Sequence, residues 1–327
     1  MGCTSSRDLA VFSSPSPGPE CVLRAPDGTG RTILEAACLD DVETLEPLVR
    51  EFSGNDVLNW SGSVSSGPQA TPLICASEKG NVETVRLLLS APAVDVNKFD
   101  RLGDTPLHYA CKNGHAVVCQ LLLAHPSCSA NALNTAQISP LIHACTKGHD
   151  ACVSALLSSK CQAGAIDVNL ADGSMQTPLH YAAQHGHRKC VEVLLNHPHI
   201  NVNATSQDSL SALMYAVNNA HVKIVRLLVA CPSLDPNISS ADGSPLLWAS
   251  KLGFTEIVEA ILASKHRVDA EQAALSGETP LSVAKNDRIR ALIEARICFN
   301  KMPPPAPLDG CWTPTSLSSL LDDDGPT

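Results

Sequence analysis

Thr105-Pro106-Leu107-His108-Tyr109-Ala110 is a hexapeptide that occurs twice in the chain, the second time unchanged at residues 177–182. Thr followed by Pro suits the beginning of a helix, because the Thr hydroxyl can accept a bond from a free backbone N–H and Pro lacks the N–H that would be unpaired there. Leu107 and Ala110, three residues apart, then face the same side of the helix. A helix that restarts identically indicates a repeated unit.

Weaker copies of the hexapeptide lie before, between and after the two identical ones. Aligned on the Thr or Ser that would start each helix, they predict helix starts at Thr32, Thr71, Thr105, Ser139, Thr177, Ser211, Ser244 and Thr279. A Gly-His pair follows three of these helices, at 114–115, 148–149 and 186–187, and Gly suits the left-handed residue that ends a helix. A second apolar set at helical spacing, such as Ile224, Val225 and Leu228, comes next.

This pattern resembles the ankyrin repeat family, whose unit of about 33 residues is a β-turn and two helices that begin Thr-Pro-Leu-His-x-Ala. The resemblance covers roughly residues 27 to 297. It implies an all-α repeat solenoid of about eight ankyrin repeats. We predict a flexible leader over 1–26, the array over 27–300, and a Pro-rich, acidic, disordered tail over 301–327. Because the last unit has Asn286-Asp287 in place of Gly-His, we expect its second helix to be shortened.

Composition restricts the compartment and the kind of partner. The net charge is −10, so the bulk field attracts neither nucleic acid nor an anionic membrane surface. No run of about 18 apolar residues could span a bilayer, and the first residues lack the apolar centre of a signal peptide. The fourteen cysteines therefore indicate reduced thiols in the cytosol or nucleus.

Nothing in the sequence supports catalysis or metal binding. There is no Cys-x-x-Cys, and cysteines such as Cys111 and Cys119 fall on repeated helix positions that suit a small buried residue. We expect His108 and His180 to bond to the Thr of their own helix start. Residues 27–30 lack the Lys-Ser/Thr of a phosphate-binding loop and are interpreted as the hairpin turn of the first unit. We therefore expect neither enzyme activity nor a cofactor.

The leader Met1-Gly2-Cys3-Thr4-Ser5-Ser6 resembles an N-myristoylation signal, with Cys3 placed where dual-acylated proteins carry palmitate. One myristoyl chain binds a membrane only marginally, and no polybasic run follows it. We predict lipidation at Gly2 and Cys3, and a location on the cytoplasmic face of a membrane. The alternative is an unmodified leader on a soluble cytosolic or nuclear protein.

In the ankyrin family, partners usually contact the turn tips and the last residues of the first helix in each unit. In this chain those helix residues would line a basic-to-polar groove on an acidic protein. We name the predicted groove the lysine groove, and it comprises Lys79, Lys112, Asn113, Lys147, His185, Asn218 and Lys251. The simpler interpretation is a row of ordinary solvated side chains. The groove predicts an acidic or phosphorylated partner segment.

The whole sequence therefore predicts a monomeric, non-catalytic scaffold or adaptor that binds protein. The alternative function is a soluble regulator or inhibitor of a partner protein. In the tail, Leu317, Leu320 and Leu321 precede Asp322-Asp323-Asp324, a spacing that predicts a short amphipathic helix. One hypothesis is that this segment docks on the lysine groove and competes with partners, and the alternative is a solvated tail.

Overall fold

Fifteen α-helices and one 3₁₀ turn, Asp56–Asn59, form the regular structure in this computed structural model, which describes residues 28–62, 69–158 and 165–301. Within these ranges there is no β-strand, and only isolated bridges such as Gly62 with Ala70 occur. The all-α class predicted from the sequence is therefore confirmed. The helices are α1 (Thr29–Leu39), α2 (Val42–Glu51), α3 (Pro72–Lys79), α4 (Val82–Leu89), α5 (Pro106–Asn113), α6 (Ala116–Ala124), α7 (Pro140–Lys147), α8 (Asp150–Ser158), α9 (Pro178–Gln184), α10 (Arg188–Leu195), α11 (Ala212–Asn218), α12 (Val222–Val229), α13 (Pro245–Leu252), α14 (Thr255–Leu262) and α15 (Asp287–Lys301).

The helices stack in two parallel rows. The odd-numbered helices from α1 to α13 contact one another in sequence and form the first row, and the even-numbered helices followed by α15 form the second row. Each pair of helices, with the hairpin before it, is one unit, so units 1 to 7 are complete pairs and unit 8 contributes α15. One apolar core runs between the rows from Ile33 to Ile293. Each unit packs mainly on its neighbours, which is the architecture of a solenoid.

Hydroxyl caps explain where the first-row helices begin. In a typical case the backbone N–H of Ile74 donates to Thr71 Oγ1 at 3.2 Å. Pro follows the cap in five of these helices, at a position where its missing N–H would have no intrahelical partner. Six predicted starts are confirmed as N-caps: Thr71, Thr105, Ser139, Thr177, Ser211 and Ser244.

The first unit begins earlier than its sequence predicted. α1 starts at Thr29 with Gly28 as its N-cap, and Thr32 lies inside the helix, where its hydroxyl donates to the carbonyl oxygen of Gly28 at 3.4 Å. The interpretation of residues 27–30 as a hairpin turn is therefore wrong, since Thr29 and Gly30 are helical. Unlike the five later helices that begin with a cap and a Pro, this one has no Pro after its Thr to fix the start of the helix.

The last unit is also different from its prediction. Thr279 and Ser282 exchange capping bonds, in which each backbone N–H donates to the other hydroxyl at 2.9 and 3.2 Å, but a single turn follows and not a helix. The expected shortening of the second helix is wrong, because α15 has 15 residues and is the longest helix described. Among the described residues no further unit packs beyond it, and the helix continues to Lys301, close to the prolines at 303–305.

Cysteines fill small buried positions in the core. Cys111 and Cys119, on the paired helices α5 and α6, have no exposed surface, and their sulfur atoms lie 3.6 Å apart. Burial raises the pKa of Cys111, and it raises the pKa of Cys145 well above that of a free thiol. These thiols are neutral and inaccessible, which confirms their predicted structural role.

Three predictions concern residues outside the described ranges. Gly2 and Cys3 precede residue 28, and the predicted amphipathic segment at 317–324 follows residue 301. The segment boundaries, the lipidation and the tail helix therefore stay predictions.

Candidate functional site

Each copy of the hexapeptide forms a buried hydrogen-bonded link between two units. Nδ1 of His108 accepts the backbone N–H of Thr105 at 3.1 Å, so Nε2 carries the proton and donates to the carbonyl oxygen of Ile138 in the next hairpin at 3.0 Å. His180 makes the same two bonds in its own unit. The expected bond from each His to its Thr is confirmed, and the bond to the next unit is new. Burial lowers the pKa of His108 to about 4, which keeps the ring neutral.

The Tyr of the hexapeptide fixes the hairpin tip of its own unit. The Tyr109 hydroxyl donates to Asp100 Oδ2 at 2.8 Å. The other carboxylate oxygen of Asp100 accepts the backbone N–H groups of Leu102 and Asp104, both at 2.9 Å. Tyr181 and Asp172 form the same bond at 2.7 Å. The tip is therefore held rigidly against the first helix of the unit.

A second set of histidines fixes the ends of four first-row helices, α3, α5, α7 and α9. His149 lies between α7 and α8, and its Nε2 is 3.2 Å from the carbonyl oxygen of Lys112 in the preceding unit. The other members of the set make the same contact from Nε2 to a backbone carbonyl oxygen: His115 to that of Glu78, His187 to that of Thr146 and His221 to that of Gln184. These bonds satisfy carbonyl groups that a helix end leaves free. They also hold in place the residues of the predicted lysine groove.

Two constraints, a left-handed backbone and a close neighbouring ring, favour glycine between the two helices of a unit. Gly148 has a φ of +77°, and a Cβ there would collide with the ring of His187. Ala220 adopts a similar left-handed φ of 56°, but the next unit has Phe254 in place of the histidine. The glycine is thus required most strongly where a histidine of the next unit packs over it.

Six asparagines link successive hairpins, and we call them the asparagine ladder. Asn203 shows the pattern: its Nδ2 donates to the carbonyl oxygen of Ser233 at 2.7 Å, and its Oδ1 accepts the N–H of Asp235 at 2.8 Å. Both bonds brace the hairpin of the following unit. The ladder consists of Asn59, Asn97, Asn131, Asn169, Asn203 and Asn237.

The residues of the lysine groove lie at the ends of the first-row helices or directly after them, and all but the half-buried Lys112 are exposed. They occupy two registers. One register directly precedes the inter-helix Gly and contains Lys79, Asn113, Lys147 and His185. The other lies one position earlier and contains Lys112, Asn218 and Lys251. Because adjacent helix positions differ by about 100°, the groove presents two neighbouring rows and not a single line.

The four lysines of the groove differ in their surroundings. Lys251 Nζ forms an ion pair with Glu278 Oε2 at 2.8 Å. Lys112 Nζ lies over the ring of Tyr109, 5.6 Å from its centre. In the ranges that the structure describes, Lys79, Lys112 and Lys147 form no ion pair. The available positive charge of the groove is therefore concentrated in units 2 to 4.

His185 continues the groove into unit 5. Its ring stacks on Tyr181 with the ring centres 6.4 Å apart. Partial burial lowers the pKa of His185, and the nearby charges of His187 and Lys147 act in the same direction. Lys147 and His185 are therefore electrostatic neighbours, as the stacking of units 4 and 5 requires.

The hairpin tips carry apolar side chains that sequence reasoning missed. Phe99 is 64% exposed, Met175 is 58% exposed, and Leu102 and Leu133 are also exposed. We call these four residues, from three consecutive units, the tip ridge. A signal was present in the sequence, since each residue lies between a ladder asparagine and a helix-start Thr or Ser, where polar residues are usual. Met175 also has a left-handed φ of 61°, a conformation that glycine adopts freely and that is strained for methionine.

A cleft of about 620 Å³ lies near the C-terminal end of the array, and we call it the C-terminal cleft. Asn218 and Lys251 of the lysine groove line it, together with Trp248, Leu252 and Leu275. Leu275, on the hairpin tip of unit 8, is 88% exposed. The structure thus joins one end of the predicted groove to an apolar surface.

Within the described ranges, no group of three His, Cys, Asp or Glu side chains is arranged to hold a metal ion. No helix in the same ranges is long and apolar enough to cross a membrane.

A rigid stack of helix pairs with exposed side chains along one groove and one row of tips defines a class of repeat proteins that bind other proteins. A family model that describes ankyrin repeats (3 copies) matches the chain over four overlapping ranges, residues 33–134, 118–208, 162–240 and 213–302. The chain belongs to the ankyrin repeat family. Ankyrin repeats are protein-interaction modules, typical of scaffolds and regulators, and no enzymatic family is indicated.

Solved structures agree with this assignment. The ankyrin repeat domain of Bcl-3, described as a unique member of the IkappaB protein family, is 26% identical, with a TM-score of 0.62 over 69% of this chain and 98% of that one. The human ASB11 ankyrin repeat domain is 25% identical, with a TM-score of 0.55 over 72% of this chain and 100% of that one. Among curated protein sequences, none matches significantly.

Proposed function

We propose that the chain is a monomeric, non-catalytic scaffold that binds an acidic or phosphorylated segment of a protein partner across units 2 to 4. The observation that carries this proposal is the set of three lysines, Lys79, Lys112 and Lys147, that form no ion pair in the described ranges of a protein with a net charge of −10. Carboxylate or phosphate groups of a partner would supply the missing counter-charges.

The spacing of the units suggests how such a segment would lie. Packed helices are about 10 Å apart, so Lys79, Lys112 and Lys147 follow one another at roughly that interval. An extended chain advances about 3.3 Å per residue, so an acidic residue at every third position would match the three units. The exposed Phe99 and Leu133 of the tip ridge would take apolar residues of the same partner.

Charge reversal tests this proposal. The probe is a fluorescent peptide library with Asp, Glu or phosphoserine at every third position, and binding is measured by anisotropy at low and moderate salt. Replacing Lys112 and Lys147 by Glu should weaken binding by about tenfold or more, and salt should weaken binding to the unmodified protein. The matched control replaces the exposed Lys189 and Lys223 of the second helix row by Glu. Equal binding by both double variants would contradict the proposal.

The same proposal includes tethering to the cytoplasmic face of a membrane through acyl chains on Gly2 and Cys3. Its support is the leader sequence, together with the need for a second anchor beside a single myristoyl chain. Gly2→Ala should move the protein from the membrane fraction to the soluble fraction, and mass spectrometry should find both acyl groups on the N-terminal peptide of the unmodified protein. An unmodified peptide and an unchanged soluble distribution would reject the tether.

The second candidate is a soluble regulator or inhibitor of a partner protein in the cytosol or nucleus. The similarity to the ankyrin domain of Bcl-3, a member of the IkappaB protein family, favours it. The Gly2→Ala experiment separates the two candidates, because a soluble regulator would be distributed identically with either residue. Light scattering after size exclusion tests the monomeric state.

A further inference from the structure

The C-terminal cleft presents apolar surface that no described residue covers. Leu275 is 88% exposed on the tip of the last hairpin, and Leu252, 38% exposed, lies with Trp248 in the same cleft. Exposed apolar side chains that line one concave surface usually mark an interaction site. We therefore expect another segment to bind in this cleft.

The chain itself leaves the array beside this cleft. Lys301, the last described residue, forms an ion pair from Nζ to Glu271 Oε1 at 2.8 Å. The preceding residue, Asn300, donates from Nδ2 to the carbonyl oxygen of Val268 at 3.1 Å. Glu271 is only four residues before Leu275 on the same hairpin, so the two lie within about 14 Å. The 26 residues that follow Lys301 thus start next to the cleft.

Residues 302–327 include an apolar set that matches the apolar surface of the cleft. Leu317, Leu320 and Leu321 would share one face of a helix, and no Lys or Arg occurs after Lys301. We propose that residues 317–324 of the same chain bind in the C-terminal cleft, with the three leucines against Leu275, Leu252 and Trp248.

The connecting segment has a suitable length. Fifteen residues lie between Lys301 and Leu317, and the resulting sixteen residue-to-residue steps correspond to roughly 20–24 Å for a flexible chain and about 50 Å for a fully extended Pro-rich one. The extended length is well above the limit of about 14 Å between Glu271, which Lys301 contacts, and Leu275, and a tether that reaches its site gives an effective concentration in the millimolar range. A weak contact is therefore occupied most of the time.

Charge sets the direction of the bound segment. The leucines are followed by Asp322-Asp323-Asp324. If the segment runs from unit 8 toward unit 5, this acidic end points toward Lys147 and His185 and away from the carboxylates of Asp242 and Glu278, which border the cleft. Bound in this way, the segment contacts the cleft that Asn218 and Lys251 of the lysine groove also line.

Photo-crosslinking in the full-length protein tests the proposal without any external ligand, so its result is independent of the proposed function. p-Benzoylphenylalanine is placed at Leu275, and cross-linked peptides are mapped after irradiation. We expect an intrachain cross-link to residues 302–327. The control position is Leu39, which is 79% exposed at the opposite end of the array and should not capture the tail.

Tail variants show whether the leucines make the contact. Replacing Leu320 and Leu321 by Asp should reduce the cross-linked fraction by about tenfold or more, whereas Leu308→Asp, outside the proposed contact, should not. A cross-link to a second copy of the chain would assign the cleft to self-association and overturn the proposal. Absence of a cross-link, or a tail cross-link that survives the double substitution, would overturn it as well.

Discussion

The neutral imidazole of His108 should make the stability of the array depend on pH between about pH 6.5 and pH 4. Burial lowers the pKa of His108 to about 4, from an ordinary value of 6.5. The unfolded chain therefore binds the proton more readily than the folded chain does. The contribution of His108 to stability is complete above pH 6.5 and is lost as the pH falls toward 4. In structural terms, a second ring proton would face the Thr105 N–H, which already donates to Nδ1.

The size of the effect follows from the two pKa values. With 6.5 in the unfolded chain and about 4 in the folded one, protonation at pH 5 costs about 2 kcal/mol of folding free energy relative to pH 7.5. The limit at still lower pH is about 3 kcal/mol, since each pKa unit corresponds to about 1.4 kcal/mol.

Urea unfolding followed by far-UV circular dichroism at pH 7.5 and pH 5.0 measures this loss. His108→Gln should be destabilised by about 2 kcal/mol at pH 7.5, because the Thr105 N–H and the Ile138 carbonyl lose their partner. Between the two pH values, however, the variant should lose about 2 kcal/mol less than the unmodified protein. His199→Gln, which removes an exposed ring, should keep the unmodified pH dependence. An equal loss in His108→Gln would refute the reasoning.

Three further substitutions test the links between units. Asn203→Ala removes two bonds to the next hairpin and should lower the free energy of unfolding in urea by about 1–2 kcal/mol, whereas Asn196→Ala should have little effect. Met175→Gly should relieve left-handed strain and raise the free energy of unfolding by about 0.5 kcal/mol. Met175→Ala keeps the strain and should give no such increase. An equal effect of both substitutions would exclude strain as the cause. Gly148→Ala should lower the free energy of unfolding by about 1–3 kcal/mol. The loss should be smaller in a His187→Ala background, because the collision with the ring is then absent. Identical losses in both backgrounds would argue against that collision.

The interior of the array could be predicted from sequence because its signals are local. Thr105 and Ser139 start helices because a hydroxyl cap and a Pro lie side by side in the chain. The burial of Cys111 followed from its register alone. The ends could not be predicted in this way. Thr32 has the spacing of a helix start, but α1 already begins at Thr29. In the described ranges no further unit packs on α15, and the repeat pattern alone does not give the length of this helix.

The candidate site was predictable only in part. The positions of the lysine groove followed from the register, and they stay a prediction as binding residues. The pairing of Lys251 with Glu278 joins residues 27 positions apart in different units, which no local pattern shows. The two registers of the groove can be read from the sequence, but the two neighbouring rows that they form depend on how the units stack. The exposure of Leu275 depends on how the last described hairpin packs, which no local pattern shows.

The asparagine ladder also determines where the chain can be lengthened. Asn131 donates to the carbonyl oxygen of Ala165 at 3.0 Å and accepts the N–H of Asp167 at 3.1 Å, so the ladder resumes directly after residues 159–164. Asn59 precedes residues 63–68, and it likewise bonds to the carbonyl oxygen of Ala93 and to the N–H of Asp95, which follow them. A fluorescent domain or an epitope tag inserted at either segment would leave every rung of the ladder intact. The two segments are therefore natural attachment sites for reporters that must not disturb the groove.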